Sequence, residues 1–348
     1  MQKKILMAFD DPGGGLAVSS LIERLQHEEI DLEIYTGKLS EKFLEKEKTV
    51  YNKIDSMITR EDAAVIIDIV QPDLLITGTG GGNAEQELRN AACKKNIKSI
   101  VILDFWKDYS RRWLYATYSL AEMKDKICVM DEFTKEEMTG ENFPEENIIV
   151  TGHPYLDKLF NHSKNNSGQS NFRKNHILFL SQPLHIIGLK DYKIHPLKTF
   201  LESLKRLSSE NNSEYTLKIK LHPSEEMSAE MEKLIKIYDS EYLRIKFADK
   251  SLSPDVLILE SEIIAGYNTI AMFESRSMNR RTISLKVALM KNSLLIAMET
   301  AGIEIINAEE ESIIECLKKS KSESYREGFF KGGIDNCVKL ILSELNLN

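Results

Sequence analysis

Short apolar runs, each the length of a β-strand, recur along this chain between longer amphipathic segments, and that alternation constrains the fold more than any other feature. In the first half the runs cover residues 4–9 (KILMAF), 32–36, 74–77 (LLIT), 99–103 (SIVIL), 126–130 (KICVM) and 147–151 (NIIVT). Helical segments such as 17–28 and 83–95 separate most of them. Strand and helix alternating at this spacing predict a parallel sheet with helices on both faces. Residues 161–175 (NHSKNNSGQSNFRKN) break the texture, being polar, rich in Asn and Ser and without apolar period, as an interdomain linker is. The alternation restarts at 176–180 (HILFL), 217–221 (LKIKL), 243–247, 256–259, 263–266 and 281–285, and a lone helix near 325–345 ends it.

The expected organisation is α/β: an N-terminal Rossmann-like domain over 1–155, a linker over 156–175, a C-terminal Rossmann-like domain over 176–324, and a helix over 325–348 that folds back to the first domain. A length of 348 residues suits two domains of about 150 residues each. The net charge of −8 argues against nucleic acid as the main partner, since phosphate backbones need a basic footprint. The four cysteines, Cys93, Cys128, Cys316 and Cys337, lie far apart without a C-x-x-C pair, which points to ordinary buried thiols in a reducing compartment. The N-terminal apolar run is too short for a signal peptide, and no stretch approaches the ~20 apolar residues of a membrane span. The expected location is the cytoplasm, with peripheral contact at the inner membrane face left open.

In open parallel sheets ligands bind beyond the carboxyl ends of the strands, so the residues after each run are the candidates. Asp10 and Asp11 follow the first run, then Pro12 and the glycines Gly13, Gly14 and Gly15. Glycines let a ligand approach the backbone, the next helix offers free N–H groups, and one aspartate can take a proton from a hydroxyl. A plain tight turn beside a solvated strand end reads from the same residues. The loop is not G-x-G-x-x-G, and no acidic residue ends the second strand, so neither a dinucleotide nor another cofactor is expected. A second glycine loop, with Gly80 and Gly81, follows 74–77 and leads into a helix that starts Ala84-Glu85-Gln86-Glu87.

Residues 103–115 (LDFWKDYSRRWLY) place Asp104 at a strand end, followed by aromatics interleaved with Lys107, Arg111 and Arg112. One reading is a core-packing helix with its arginines in water; the other is an acceptor platform where aromatics meet sugar rings and arginines meet acidic groups. In the second half Ser181 and Gln182 follow a run, as do Lys220, His222 and Pro223 in KIKLHP. A histidine there can donate to phosphate or protonate a leaving group. In residues 263–274 (IIAGYNTIAMFE) a strand ends at Gly266, Asn268 and Thr269 open a helix, and Glu274 lies on it. Asn or Thr at that position caps the helix, and the same groups can bind phosphate. Metal-ligand spacing is absent apart from Asp10-Asp11, so metal independence is expected.

The segment Val150-Thr151-Gly152-His153-Pro154-Tyr155-Leu156-Asp157 resembles the crossing segment of the GT-B superfamily, in which T-G-(H/N)-P-x-x-D ends the first domain. That superfamily holds nucleotide-sugar glycosyltransferases and the UDP-N-acetylglucosamine 2-epimerases. The first glycine loop, His222-Pro223, and the G-x-(N/S)-T-x-x-x-x-E pattern from Gly266 to Glu274 fall in GT-B order. The resemblance implies two Rossmann-like doubly wound domains facing a central cleft that closes before chemistry. One branch, the bacterial sialyl-, polysialyl- and Kdo-transferases and polyglycerol-phosphate polymerases, implies a glycosyltransferase. It would move a sugar from a CMP-, CDP- or UDP-linked donor to a hydroxyl of a surface glycan or glycoconjugate. By that resemblance His222, Asn268 and Thr269 hold donor phosphates, Glu274 holds ribose, Asp10 or Asp11 activates the acceptor, and His153 lines the substrate. This chain departs in reading D-D-P-G and Asn-Thr. The alternative branch implies a 2-epimerase-like epimerase or hydrolase of a nucleotide sugar, but it carries D-S-G-G-x-x-E-E, and Ser275 stands where its second glutamate would be.

Overall fold

The computed structural model describes residues 2–80, 82–165, 172–183, 196–286, 292–319 and 327–347. The chain divides into two compact units, residues 1–158 with 330–348, and residues 159–329.

The first unit is a parallel sheet of β1 (Lys3–Phe9), β2 (Ile30–Thr36), β3 (Asn52–Lys53), β4 (Leu74–Thr77), β5 (Lys98–Ile102), β6 (Lys126–Val129) and β7 (Ile148–Val150), in the order β3-β2-β1-β4-β5-β6-β7. β1 lies inside the sheet, and its side chains alternate between two separate cores. Ile5, Met7 and Phe9 join a core with the helices Pro12–Ser19 and Ile22–Gln26 and with the C-terminal helix Gly333–Glu344, through Cys337, Val338 and Ile341. Leu6 and Ala8 join the other, against the helices Arg60–Val70 and Ala84–Lys94. Burial on both faces is why β1 reads as a continuous apolar run, and each full burial of Ile, Leu, Met or Phe stabilises by roughly 1.5–3 kcal/mol.

The second unit is a parallel sheet of β8 (Arg173–Leu180), β9 (Tyr215–Lys220), β10 (Leu243–Phe247), β11 (Ser261–Gly266), β12 (Arg281–Lys286) and β13 (Glu304–Asn307), in the order β10-β9-β8-β11-β12-β13. Its core gathers Ile177, Phe179, Leu217, Ile219, Ala265 and Ile283 under the helix Pro196–Asn211. In each sheet the winding reverses once, between β1 and β4 and between β8 and β11. Those two crevices are where a doubly wound sheet takes its ligand.

Several expectations need correction. Residues 256–259 form no strand but lie in the helix Pro254–Glu260. Pro254 sits in its first turn, Leu257 and Ile258 pack inward, and Val256 and Leu259 face solvent. A run ending one residue before β11 leaves no length for the crossover that a parallel neighbour requires. The helix expected at 17–28 begins at Pro12 and is interrupted after Ser19. The helix Pro154–Asn165 occupies the first part of the segment read as linker, and residues 166–171 lie outside the described residues. The last helix starts at Gly333 rather than near 325. β3 and β13 were not anticipated; β3 is two exposed residues long, and β13 is only half-buried.

The T-G-H-P-x-x-D segment explains where the last helix begins. The Asp157 carboxylate accepts the Ile334 N–H at 3.0 Å, and the Asn336 amide donates to the Thr151 carbonyl at 3.1 Å. A carboxylate at a helix N-terminus satisfies an otherwise unpaired amide and meets the positive end of the dipole. Gly333 packs so closely that a Cβ there would meet the His153 carbonyl carbon at 2.7 Å.

Candidate functional site

The crevice between β1 and β4 in the first unit is lined by three loops, two of which carry carboxyl groups. Asp10 and Asp11 leave β1, Gly78, Thr79 and Gly80 leave β4, and Asp104 follows β5. Asp11 caps the helix Pro12–Ser19, its Oδ1 accepting the Gly14 N–H at 2.6 Å. The three glycines therefore form the first turn of a helix rather than a loop, with Pro12 holding the backbone angle that a first helical residue needs. Position 13 lies close against Asp104: a Cβ there would meet Asp104 Oδ2, and the aspartate side chain would have to move aside.

Glu85, 4% exposed at the start of the next helix, reaches back into this crevice. Its Oε1 accepts the Asp10 N–H at 3.0 Å and its Oε2 accepts the Gly80 N–H at 3.1 Å. Burial first, then the charge of Asp11, pushes the Glu85 carboxyl up to about 8, against the pull of Arg89 and the two amides. Burial, then Asp104, likewise raises Asp11 to about 6, opposed by the Gly14 amide and Arg112. Asp104 accepts from Thr79 Oγ1 at 3.2 Å and pairs with Arg112, which also reaches Thr79. Asp10 is buried, and its Oδ1 has no hydrogen-bond partner among the described residues.

The aromatic segment after Asp104 is not a stacking platform. Phe105, Trp106, Tyr109 and Trp113 are buried, and the segment holds a short 3-10 helix, Ser110–Trp113, in place of a packed α-helix. Arg112 turns inward to Asp104, while Arg111 is exposed. His153 is buried, its Nε2 within 3.1 Å of the Asp104 carbonyl oxygen, and burial lowers its proton affinity. With Nε2 donating to that carbonyl, Nδ1 is left as an acceptor without a partner among the described residues.

In the second unit the crevice between β8 and β11 is lined by Ser181 and Gln182 on one side and Asn268 and Thr269 on the other. Gln182 Nε2 donates to the Asn268 carbonyl at 3.4 Å, and Thr269 Oγ1 caps the helix Ile270–Ser277 by accepting the Ala271 N–H at 3.2 Å. Glu225 holds the neighbouring loop: its Oε1 accepts from Ser181 Oγ at 3.0 Å and its Oε2 from the His222 N–H at 2.8 Å. His222 is exposed, and its Nδ1 accepts the Ser224 N–H at 3.2 Å with Ser224 Oγ at 2.7 Å. That geometry keeps the ring proton on Nε2, where it is a donor. Pro223 follows at the surface.

Three candidates of this half stand apart from such a donor set. The Lys220 ammonium donates to the carbonyls of Asp249 and Lys250 at 3.0 and 2.9 Å. Gly266 is a packing glycine, since a Cβ there would meet the Leu180 carbonyl oxygen at 2.8 Å. Glu274 is buried at 5% exposure, and its neighbour Ser275 turns its hydroxyl back to the Ala271 carbonyl. Gly81 lies outside the described residues.

Sequence reasoning missed Glu85, Thr79 and Arg89 as parts of these crevices. The signal for Glu85 was an acid immediately after a glycine loop, which reads equally well as a first-turn residue meeting the helix dipole. Among the described residues no group of three His, Cys, Asp or Glu side chains can hold a metal ion, and no helix is long and apolar enough to cross a membrane.

No family model matches the chain, and no curated protein matches it. Solved structures do. The UDP-GlcNAc 2-epimerase from Methanocaldococcus jannaschii superposes with a TM-score of 0.71 at 14% identity, over 98% of this chain and 99% of that one. The UDP-GlcNAc 2-epimerase from Neisseria meningitidis, bound to UDP-GlcNAc, gives 0.69 at 16% identity over 99% of this chain and 100% of that one. The glycotransferase of kitacinnamycin gives 0.59 at 10% identity over 99% and 100%. With two doubly wound parallel sheets in this order and matches across the whole length, the chain has the GT-B fold.

Proposed function

We propose that this chain is an enzyme that acts on a nucleotide sugar, UDP-linked in the first instance, by proton transfer to and from carboxyl groups of the first unit. The observation that carries the reading is the carboxyl constellation of Asp11, Glu85 and Asp104 in the β1–β4 crevice, with Glu85 near 8 and Asp11 near 6. Neighbouring acids pushed to different proton affinities around neutrality are what acid–base work on a substrate requires. Asp11, partly exposed, is the proton carrier, and buried Glu85 sets its surroundings. The nucleotide phosphates are assigned to the second unit, to the His222 ring N–H, Asn268, Thr269 and the positive N-terminal end of the helix Ile270–Ser277.

Similarity to two UDP-GlcNAc 2-epimerases favours conversion of the nucleotide sugar without an acceptor, by epimerisation or hydrolysis. A second reading, transfer of the sugar to a hydroxyl acceptor, is favoured by Ser275, which stands where the epimerase pattern has a glutamate and is bonded to its own helix. Incubating the enzyme with UDP-GlcNAc alone in deuterium oxide separates the two. Deuterium in the sugar, or steady release of UDP, supports the first. Turnover only after a glycan hydroxyl is added supports the second.

A further inference from the structure

Arg89 lies on the helix Ala84–Lys94, one turn after Glu85, and is 1% exposed. A buried cation persists only where its N–H groups are met. Its Nη1 donates to Thr77 Oγ1 at 2.7 Å and to the Gly78 carbonyl at 3.1 Å, at the end of β4 where the glycine loop begins. Its Nη2 donates to Gln86 Oε1 at 2.6 Å, the guanidinium lies 5.6 Å from the centre of the Trp113 ring, and Nε alone has no hydrogen-bond partner among the described residues. The contacts then continue away from the crevice. Gln86 Nε2 donates to the Tyr118 hydroxyl at 3.2 Å, and that hydroxyl donates to Asp125 Oδ2. Asp125, buried just before β6, accepts from Ser99 on its other oxygen. A hydrogen-bonded chain thus runs from the amino edge of the sheet to the loop at its carboxyl edge.

We propose that Arg89 is a positioning residue for the first-unit site, holding the loop after β4 and the Glu85 carboxyl in register with Asp11, and that Gln86, Tyr118 and Asp125 fix its orientation from the opposite edge of the sheet. This rests on the reading of those carboxyls as proton carriers. The charged groups around Glu85 are Asp10 and Asp11 from the loop after β1, Asp104 with Arg112 from the segment after β5, and Arg89 from its own helix. Arg89 is the cation that opposes the Asp11 charge at Glu85. Cooperation along a buried polar chain makes a distant hydroxyl matter to the guanidinium.

The test is a carbon-13 NMR titration of the Glu85 carboxyl in wild type, Arg89→Met, Arg89→Lys and Tyr118→Phe, each first shown to melt cooperatively. Arg89→Met should raise the Glu85 midpoint by about one pH unit, a tenfold change in proton affinity. Arg89→Lys, which keeps the charge, should restore most of it, and Tyr118→Phe should shift it in the same direction as Arg89→Met but less. Should Arg89→Met not fold, Tyr118→Phe decides alone. An unmoved midpoint in the folded variants, or one that moves as far in Arg89→Lys as in Arg89→Met, overturns the proposal. The titration needs no substrate, so an enzyme inactive on nucleotide sugars would sink the functional reading and leave this result standing. On an active enzyme, the alkaline limb of the kcat/KM profile should follow the Glu85 midpoint through the series.

Discussion

Glu85 accepts the backbone N–H of Asp10 at 3.0 Å, and with its other carboxyl oxygen it accepts the amide of Gly80. One buried side chain thereby ties the end of β1 to the loop after β4, across the point where the sheet's winding reverses. Its carboxyl belongs to a helix, so the distance between the two loops is set by packed secondary structure rather than by the loops themselves.

That position gives stability a pH dependence with a definite sign. Glu85 is raised from 4.5 to about 8 and Asp11 from 3.8 to about 6. An acid whose folded-state proton affinity is raised contributes stability that is fully present below its unfolded value and is lost as pH rises through the folded one. Wild type should therefore lose stability between about pH 4.5 and pH 8 relative to Glu85→Gln, which cannot ionise. Melting curves at pH 5 and pH 9 check this: the Tm of the variant minus that of wild type should be larger at pH 9. A difference constant across the range would show that Glu85 does not titrate there.

Asp10 and Asp11 should part company on mutation. Asp11→Asn should lower turnover by ~10²–10⁴, the usual worth of a general base, with nucleotide affinity within a few-fold. Asp10→Asn, at a buried residue whose backbone rather than side chain meets Glu85, should leave turnover within a few-fold. Steady-state rates beside calorimetric titration of nucleotide separate the effects. If both variants keep full activity, Asp104 becomes the candidate base.

Much of the fold was legible because strand signals survive on their own: β4 and β10 have the bounds that their apolar runs have, and β1 extends its run by one residue. The failures have physical causes. Residues 256–259 are apolar on both faces of a short helix, so length alone could not tell strand from helix. β3 is too short and exposed to carry a pattern. At the site, Asp11 and Asp104 were readable as strand-end acids, but Glu85 was not. Its role comes from reaching back across 75 residues of sequence to Asp10, a relation only the sheet order creates.

In the second unit, His222 should matter to phosphate binding. Titrating CMP, CDP, UMP and UDP into wild type and His222→Ala should weaken the best-bound nucleotide about tenfold or more, since a hydrogen bond to a charged group is worth ~1.5–3 kcal/mol. Unchanged binding would remove His222 from the site. The base and phosphate number that bind best would also name the nucleotide.

Gly333→Ala should be costly far from any chemistry. The added methyl would meet backbone atoms of His153 and Pro154 at 2.7–2.9 Å, where nothing flexible can yield. A loss of about 1–3 kcal/mol, as for other overpacked sites, should lower Tm by several degrees. An unchanged Tm would mean that the C-terminal helix is not seated on the T-G-H-P segment.

The most direct test of nucleotide-sugar chemistry is a proton NMR time course of UDP-GlcNAc with wild type and Asp11→Asn in deuterium oxide, without and then with a glycan acceptor. Wild type should consume the nucleotide sugar, with deuterium in the sugar or free UDP appearing, while Asp11→Asn still binds UDP and turns over at least ~10²-fold more slowly. No turnover by wild type under either condition, together with no calorimetric binding of any nucleotide, would contradict it.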